Sequence, residues 1–486
     1  MKTINIGRSD SFAILTNNIP VIFPGQFPKG YQNNVRWWGN ISKEELHSTL
    51  PDGTARLLTM DLDIGDTCGL ACPHCFRRDP RFDSVSKGNA LTHEEIVAYV
   101  KEAKALGLKQ VKILGRGEPF QNTRFLEFLE TMTDMGIGVA VFSKGHVLGC
   151  DALASKYNSH RGINSSWELV KRLKDLKVSI LLGFNSFDRD TQNAFTGVDK
   201  FSETALLKNY VDFRDQALIN LVKAGFNEYI PGEATRLAMI AAPVKPENID
   251  EIFGLYTWAR VRNIYMLTCP TTISGKGLDE LEREKQHADY VSQLEDLWAQ
   301  IYIWAIQKNL ISREAFLEDG VSLYPGCHVC NQTAAGFYLN LPGRINMCPG
   351  RVGGTTIFTR DIGEEASLKD VWVRSSNYQR AKYGKRYNYH CVARDGFSLP
   401  QNFYKNIEAK VMKRARDFGG TSAWAPRYFL STIILIFCPN FNLSAGSSNA
   451  ISLGSNSAGS KSSSPTQSTT SAYSGCLGFL RISNLS

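Results

Sequence analysis

Short apolar segments alternate with amphipathic segments between about residues 54 and 310 of this chain. The apolar segments are rich in Val, Ile, Leu and Phe, which is typical of parallel strands buried on both faces. They occupy residues 55–64, 110–114, 138–142, 178–184, 235–241 and 264–267. Since a complete α/β barrel needs eight strand-helix units and only six can be counted, we expect a partial (β/α)6 TIM-like barrel.

Helical periodicity follows each predicted strand. The predicted helices cover residues 92–105, 123–135, 166–176, 202–223, 248–260 and 278–307. Thr92 and Glu95 form a capping-box pattern, and Gly107, Gly136 and Gly225 stand where C-terminal glycines are common. Because parallel α/β folds carry their chemistry at the carboxyl ends of the strands, the residues just after each strand are the first candidates for a site.

Charge and cysteine content narrow the classes of partner. The chain has 55 Lys and Arg against 47 Asp and Glu, a mild excess without a basic patch, so we expect no nucleic-acid partner. The longest apolar run, residues 428–438, is shorter than the ~20 residues of a membrane span, so we expect no membrane partner. Residues 1–12 show no apolar signal segment, so we expect a cytoplasmic location, where grouped cysteines bind metal more often than they form disulfides.

The composition changes near the C-terminal end. No Asp or Glu follows Asp417, and 15 of the 46 residues in 441–486 are Ser. Such a segment buries too little apolar surface to offset its ordering entropy, so we expect residues 418–486 to be a disordered tail.

Three cysteines, Cys68, Cys72 and Cys75, follow the first predicted strand in a C-x3-C-x2-C loop. Soft thiolates select iron-sulfur clusters, zinc or copper(I). A closed zinc site needs four ligands, whereas three thiolates leave one iron of a four-iron cluster open. A zinc loop or a set of buried thiols is the alternative interpretation.

This cysteine spacing resembles that of the radical S-adenosylmethionine (radical SAM) superfamily. The resemblance includes Phe76 after the last cysteine and the stretch 115–119 after the second strand, which matches the family's Gly-Gly-Glu-Pro motif except at Arg116. It implies a 4Fe-4S cluster on the three cysteines and SAM on its open iron.

The same resemblance implies which residues bind SAM. Gly117, Glu118 and Pro119 would lie beside its amino group, and Asn185 and Ser186, in the fourth-strand stretch 183–188, beside its ribose. Arg236, read as lying on the fifth strand, is a further candidate for an ion pair with SAM or substrate.

A second group of cysteines follows the barrel. Apolar alternation around residues 337–345 predicts a β-hairpin between cysteines. The group resembles the SPASM and twitch extensions of radical SAM enzymes, which implies an auxiliary 4Fe-4S cluster in a small hairpin and helix domain. Its predicted ligands are Cys327, Cys330, Cys348 and Cys391. A zinc ribbon with the same four thiolates is the alternative. Cys269, after the sixth strand, is interpreted as a buried apolar cysteine, with a role near substrate or as an extra ligand left open.

The resemblance implies an oxidoreductase that cleaves SAM reductively to a 5'-deoxyadenosyl radical and takes hydrogen from a substrate. A peptide or protein is the first substrate class, a carbohydrate-like small molecule the second, and flavodoxin or ferredoxin a suitable reductant. A non-catalytic zinc scaffold is the alternative from another class. We expect an N-terminal extension at residues 1–53, the barrel at 54–275, a helical linker at 276–320, the auxiliary-cluster domain at 321–417 and the tail at 418–486.

Overall fold

The computed structural model describes residues 10–39, 41–75, 90–114, 116–198, 205–271, 274–284, 287–327, 330–341, 343–350, 356–358, 367–383, 391, 394 and 399–417. The chain divides into a compact unit of residues 1–437 and a second unit of residues 438–486. The predicted tail at 418–486, Phe76 and Gly115 lie outside the described residues.

Six parallel strands form the central sheet, and they confirm the strands expected from the apolar segments. They are β1 (Thr59–Leu62), β2 (Gln110–Ile113), β3 (Gly138–Ser143), β4 (Ser179–Gly183), β5 (Leu237–Val244) and β6 (Tyr265–Pro270). Each pairs in parallel with the next along the chain. Nearly every residue of these strands is buried, since helices cover the sheet. The fold is therefore an α/β partial barrel.

Helices before and between the strands follow the predicted order. They are α1 (Asp10–Asn18), α2 (Lys43–Leu46), α3 (His93–Ala105), α4 (Phe125–Asp134), α5 (Asp151–Asn158), α6 (Ser166–Asp175), α7 (Arg189–Thr196), α8 (Tyr210–Lys223) and α9 (Ile249–Arg260). The Thr92 side chain accepts from the amide of Glu95, and the Glu95 carboxylate accepts from the amide of Thr92, which confirms the predicted capping box. The short helices α5 and α7 were not expected from the sequence.

The single long helix predicted after the barrel is wrong, because two helices stand there. They are α10 (Gly277–Glu284) and α11 (Tyr290–Gln307). Glu284 at the end of α10 accepts a hydrogen bond from Thr271, whereas Tyr290 at the start of α11 donates to the carbonyl of Val244. Each helix is thus tied separately to the carboxyl end of a different strand.

The C-terminal hairpin is part of the same sheet as the barrel. After α12 (Arg313–Asp319) and α13 (Gln332–Ala335) come β7 (Gly336–Leu339), β8 (Ile345–Asn346) and β9 (Thr356–Phe358). Strands β7 and β8 are antiparallel, which confirms the predicted hairpin, and β7 pairs in parallel with β1. The strand order is β6-β5-β4-β3-β2-β1-β7-β8-β9. Helices α14 (Leu368–Arg374), α15 (Ser376–Tyr383) and α16 (Phe403–Asp417) follow.

The segment before β1 closes the amino end of the barrel. Val35 is fully buried and forms an isolated bridge with Thr235, just before β5. Trp37 lies so close to β3 that a Cβ on Gly138 would come within 2.1 Å of its ring. An inner apolar cluster results, made of Val35, Ala140, Leu181, Ala238, Tyr265, Leu267 and Cys327, with Trp37 and Trp38 against it.

Within the described part of the chain, no helix has the length and apolar character needed to cross a membrane.

Candidate functional site

A cavity of about 250 Å³ opens at the carboxyl ends of the strands. Cys68, Cys72 and Cys75 line it together with Glu118, which follows β2, and Lys144, which follows β3. The structure therefore brings the predicted cysteine loop and the second predicted motif to one place.

Backbone contacts fix the cysteine loop against the barrel. The amide of Gly69 donates to Oε1 of Gln121 at 3.1 Å, and the amide of Ala71 donates to the carbonyl of Thr196 at 3.1 Å. Between them Leu70 is 3% exposed, within a small cluster that also contains Tyr210. The loop is thus positioned from β2, α7 and α8 at once.

Gly117 is required where the second motif meets this loop. Its φ of +90° lies in the left-handed region, and a Cβ there would be 2.7 Å from the carbonyl oxygen of Thr67. The amide of Glu118 donates to that same oxygen at 2.8 Å. Pro119 then begins a buried 3-10 turn, Pro119–Gln121, that presents Gln121 to the loop.

Glu118 is a buried carboxylate whose two oxygens are held by the end of β3. The hydroxyl of Ser143 donates to Oε1 at 2.7 Å, and the amide of Lys144 donates to Oε2 at 2.9 Å. Burial disfavours the charged form more than these hydrogen bonds favour it, and it raises the pKa of Glu118 to about 7.

Two residues that line the cavity, His74 and Lys144, were not assigned a role from the sequence. His74 is 8% exposed and lies with its ring 5.4 Å from that of Phe195. Burial and, secondarily, Lys144 and Lys245 hold the pKa of His74 well below its ordinary value, so the ring is neutral. Its position between two loop cysteines, and the position of Lys144 directly after β3, were signals that pointed to both residues.

Asn185 and Ser186 follow β4 but do not line the cavity. The hydroxyl of Ser186 donates to the carboxylate of Glu251 at 2.7 Å, which ties the end of β4 to α9. The side-chain amide of Asn185 is fully buried and has no hydrogen-bond partner among the described residues. The side chain of Asn185 therefore keeps an unsatisfied polar group, whereas that of Ser186 is satisfied.

Arg236 lies away from the cavity that the cysteine loop lines, apart from the place expected for a ligand of SAM or substrate. Arg236 precedes β5, so it lies at the amino end of the strand and away from the cavity. Its guanidinium donates to the carbonyls of Lys174 and Val178 at 3.1 and 2.8 Å and lies 4.9 Å from the centre of the Phe226 ring. Arg236 joins α6 to the start of β4.

The second cysteine group reaches the same cavity with one exception. Cys330, Cys348 and Cys391 line it, whereas Cys327 does not. The thiol of Cys327 instead donates to the carbonyl of Met266 at 3.2 Å within the inner apolar cluster, which contradicts its grouping with the other three. Cys269 lines the cavity in its place.

Thiolates are the ligands that iron-sulfur clusters use, and cysteines of both groups line the same cavity. Among the residues that the structure describes, no three Cys, His, Asp or Glu side chains meet closely enough to hold a single metal ion. A four-iron cluster makes a different demand, since each thiolate binds a separate iron. The donor set of Cys68, Cys72 and Cys75 fits such a cluster.

One wall of the cavity is polar. Nζ of Lys112 lies 2.9 Å from Oδ1 of Asp61, and both side chains are buried. Lys112 also donates to Gln332 and stands 5.2 Å from the centre of the Trp38 ring. Apolar residues such as Phe142 and Leu267 also line the cavity, so a bound molecule would meet both polar and apolar side chains.

The cysteine loop lies within a region that matches a known family. A model described as the Radical SAM superfamily matches residues 62–230. The GTP 3',8-cyclase of Sulfurimonas denitrificans is 25% identical over 243 residues, which are 48% of this chain and 64% of that protein. The GTP 3',8-cyclase of Clostridium perfringens is 24% identical over 119 residues, which are 24% of this chain and 36% of that protein. The chain thus spans between about a third and two thirds of the length of these relatives.

Solved structures show a broader similarity. Streptococcus suis SuiB bound to the precursor peptide SuiA is 18% identical with a TM-score of 0.40, over 69% of this chain and 68% of SuiB. His-tagged anSMEcpe with bound AdoMet is 12% identical with a TM-score of 0.46, over 74% of this chain and 97% of anSMEcpe.

The matched region contains the C-x3-C-x2-C loop, the Glu118 motif and the strands that bring them together. These features imply a 4Fe-4S cluster and SAM at the carboxyl end of the barrel. Residues 62–230 of the chain therefore match the radical SAM superfamily, and the relatives that this part of the chain resembles are enzymes.

Proposed function

We propose that this chain cleaves SAM reductively at the Cys68, Cys72 and Cys75 site and oxidises a peptide or protein substrate with the help of an auxiliary 4Fe-4S cluster. The observation that carries the proposal is the single cavity lined by both cysteine groups. A substrate group held between them would lie within reach of both.

The first site acts on SAM. A 4Fe-4S cluster bound there supplies one electron, which breaks the carbon-sulfur bond of SAM to give methionine and a 5'-deoxyadenosyl radical. The carboxylate of Glu118, held by Ser143 and the amide of Lys144, is placed to bind the ammonium group of SAM. His74, neutral and buried beside Phe195, offers the adenosyl group a flat surface.

The second site completes the oxidation. The 5'-deoxyadenosyl radical would take a hydrogen atom from a substrate C–H bond and become 5'-deoxyadenosine. A cluster held by cysteines of the second group, such as Cys330, Cys348 and Cys391, would supply an acceptor for one electron from the substrate radical. A proton must leave the substrate at the same stage, and the carboxylate of Asp61 in the cavity wall is placed to take it. The substrate would thereby lose two electrons and two protons in total.

A second substrate class is a carbohydrate-like alcohol. The Asp61, Lys112 and Gln332 wall offers donors and acceptors that suit hydroxyl groups. GTP is tested beside the sugar alcohols, because the relatives that match this chain are GTP 3',8-cyclases.

Metal analysis of the full chain purified without oxygen tests the two sites. About eight irons and eight sulfides per chain are expected for two clusters. About four irons and one zinc per chain would show that the second cysteine group binds zinc. An iron-free protein that does not cleave SAM would contradict the proposal.

Deuterium transfer identifies the substrate class. The enzyme is given SAM and dithionite with perdeuterated peptides, perdeuterated sugar alcohols or GTP deuterated on its ribose, and 5'-deoxyadenosine is analysed by mass spectrometry. Deuterium from the peptides supports the first class. If 5'-deoxyadenosine acquires deuterium only from the sugar alcohols or only from GTP, that compound class replaces peptides as the proposed substrate.

A further inference from the structure

We propose that Cys269, at the end of β6, is the fourth thiolate of the auxiliary cluster beside Cys330, Cys348 and Cys391, in the place that the sequence spacing gives to Cys327. The inference rests on the proposed function, since it assumes that this cluster is present.

The alternation of side chains along β6 places Cys269 at the cavity. Tyr265, Leu267 and Cys269 point to the same face of the strand, because successive residues alternate between faces. Tyr265 belongs to the inner apolar cluster, Leu267 belongs to that cluster and also lines the cavity, and Cys269 lines the cavity. This face therefore runs from the interior of the barrel up to Cys269 at its mouth.

Cys327 contacts β6 closer to the amino end of that strand than Cys269 does. Its thiol donates to the carbonyl of Met266, beside Tyr265, within the inner apolar cluster. Cys269 stands three positions after Met266, which is about 10 Å along a strand. For Cys327 to bind the cluster, its loop would have to leave an apolar site that it fills.

Arg394 links the two sulfurs that the sequence did not group. Its guanidinium donates to Sγ of Cys391 at 3.6 Å and to Sγ of Cys269 at 3.5 Å. It also donates to the carbonyls of Pro270 and Thr271, directly after Cys269, at 3.0 and 3.2 Å. Thiols are weak acceptors, whereas cluster-bound thiolates carry the negative charge that suits a guanidinium that is 4% exposed.

The four cysteines approach the cavity from both ends of the sheet. Strand β6, which ends in Cys269, is the first strand of the order, and the β7–β8 hairpin, flanked by Cys330 and Cys348, lies at the other end. The partial barrel is open between these ends. A cluster on this set would join the two sides of the opening, whereas Cys327 lies inside it.

The test uses the full chain with Cys68, Cys72 and Cys75 changed to Ala, so that the iron that remains reports on the auxiliary cluster alone. In this background Cys269→Ser is compared with Cys327→Ser after reconstitution without oxygen. We expect Cys327→Ser to keep about four irons per chain and Cys269→Ser to keep fewer than about one. If the serine oxygen retains iron, the electron paramagnetic resonance signal of the reduced cluster should change in Cys269→Ser and stay as in the background for Cys327→Ser.

The outcomes are distinguishable. Loss of iron from a folded Cys327→Ser protein, or an unchanged iron content and resonance signal in Cys269→Ser, overturns the ligand assignment. A background protein without iron contradicts the auxiliary cluster itself, and with it the assignment. Circular dichroism checks folding, and if Cys269→Ser does not fold, the iron content of Cys327→Ser decides the question.

Discussion

The hydroxyl of Ser143 donates to the buried carboxylate of Glu118 at 2.7 Å, so the end of β3 orients the acidic side chain that follows β2. Burial raises the pKa of Glu118 to about 7. The carboxylate therefore changes charge near neutral pH, within the range where binding can be measured.

The affinity for SAM should fall as the pH decreases below 7. Protonated Glu118 cannot attract the ammonium of SAM, so the dissociation constant should rise by up to about tenfold for each pH unit below its pKa. Isothermal titration calorimetry between pH 6 and 8 measures this dependence. Glu118→Gln should bind more weakly at pH 8 with a flatter pH profile, and an identical slope in both proteins would remove Glu118 from the binding step.

Cys72→Ala should lose SAM cleavage and about four irons per chain, because an incomplete thiolate set does not retain its cluster. Chromatography of 5'-deoxyadenosine formed under dithionite gives the activity. Cys150→Ala is the matched control, since Cys150 is 6% exposed and does not line the cavity. Cleavage that persists in Cys72→Ala would contradict the role given to this loop.

Gly117→Ala should displace the cysteine loop. An alanine at this position would have to adopt an unfavourable positive φ, and its Cβ would also clash with the carbonyl oxygen of Thr67. Together the two effects should lower the stability by roughly 2–4 kcal/mol. Gly136→Ala separates the two effects, because Gly136 has a φ of +67° but no neighbour within 4 Å of an added Cβ. We expect Gly136→Ala to cost about 1 kcal/mol and to keep its iron. Equal iron contents in the two variants, measured beside urea unfolding, would show that the contact with Thr67 is unimportant.

The stability should depend on His146 at acidic pH. Burial lowers the pKa of His146 to about 4 from its ordinary value near 6.5, so the folded chain binds this proton less readily than the unfolded chain. The contribution is complete above about pH 6.5 and is lost as the pH falls towards 4, by at most about 1.4 kcal/mol per pH unit.

The titration of Glu118 changes the stability in the opposite direction over part of this pH range. Its pKa is raised in the folded chain, so its protonation on acidification favours the folded state. The difference in unfolding free energy between the wild type and His146→Gln isolates the contribution of the histidine. The substituted Gln can still accept a hydrogen bond from the side-chain amide of Gln121. Urea unfolding at pH 7.5, 6.5 and 5.5 should show less loss of stability on acidification in His146→Gln. A constant difference between the two proteins at all three pH values would contradict this origin.

The strands and the first cysteine site could be predicted because local signals and global fold agree there. Apolar runs marked the strands, and the rule that sites follow strands located Cys68 and Glu118. Arg236 was assigned to the strand because the apolar pattern starts at residue 235, whereas β5 begins two residues later and leaves Arg236 just before its amino end, away from the cavity.

Cys327 was misread for a different reason. The C-x2-C spacing to Cys330 indicates a shared ligand site, but it does not fix where each thiol points once the chain enters the barrel. The alternation of Tyr265, Leu267 and Cys269 was visible in the sequence, but the depth at which Cys327 lies depends on tertiary packing.

Trp38, in the segment before β1, forms part of the cavity wall although it precedes the region that matches the family. Part of the cavity wall is therefore formed by residues outside the region that matches the family. Changes in this leading segment can alter how large a substrate group fits, while the cysteine loop and Glu118 stay as they are. Substrate range and radical generation are in this way separable along the chain.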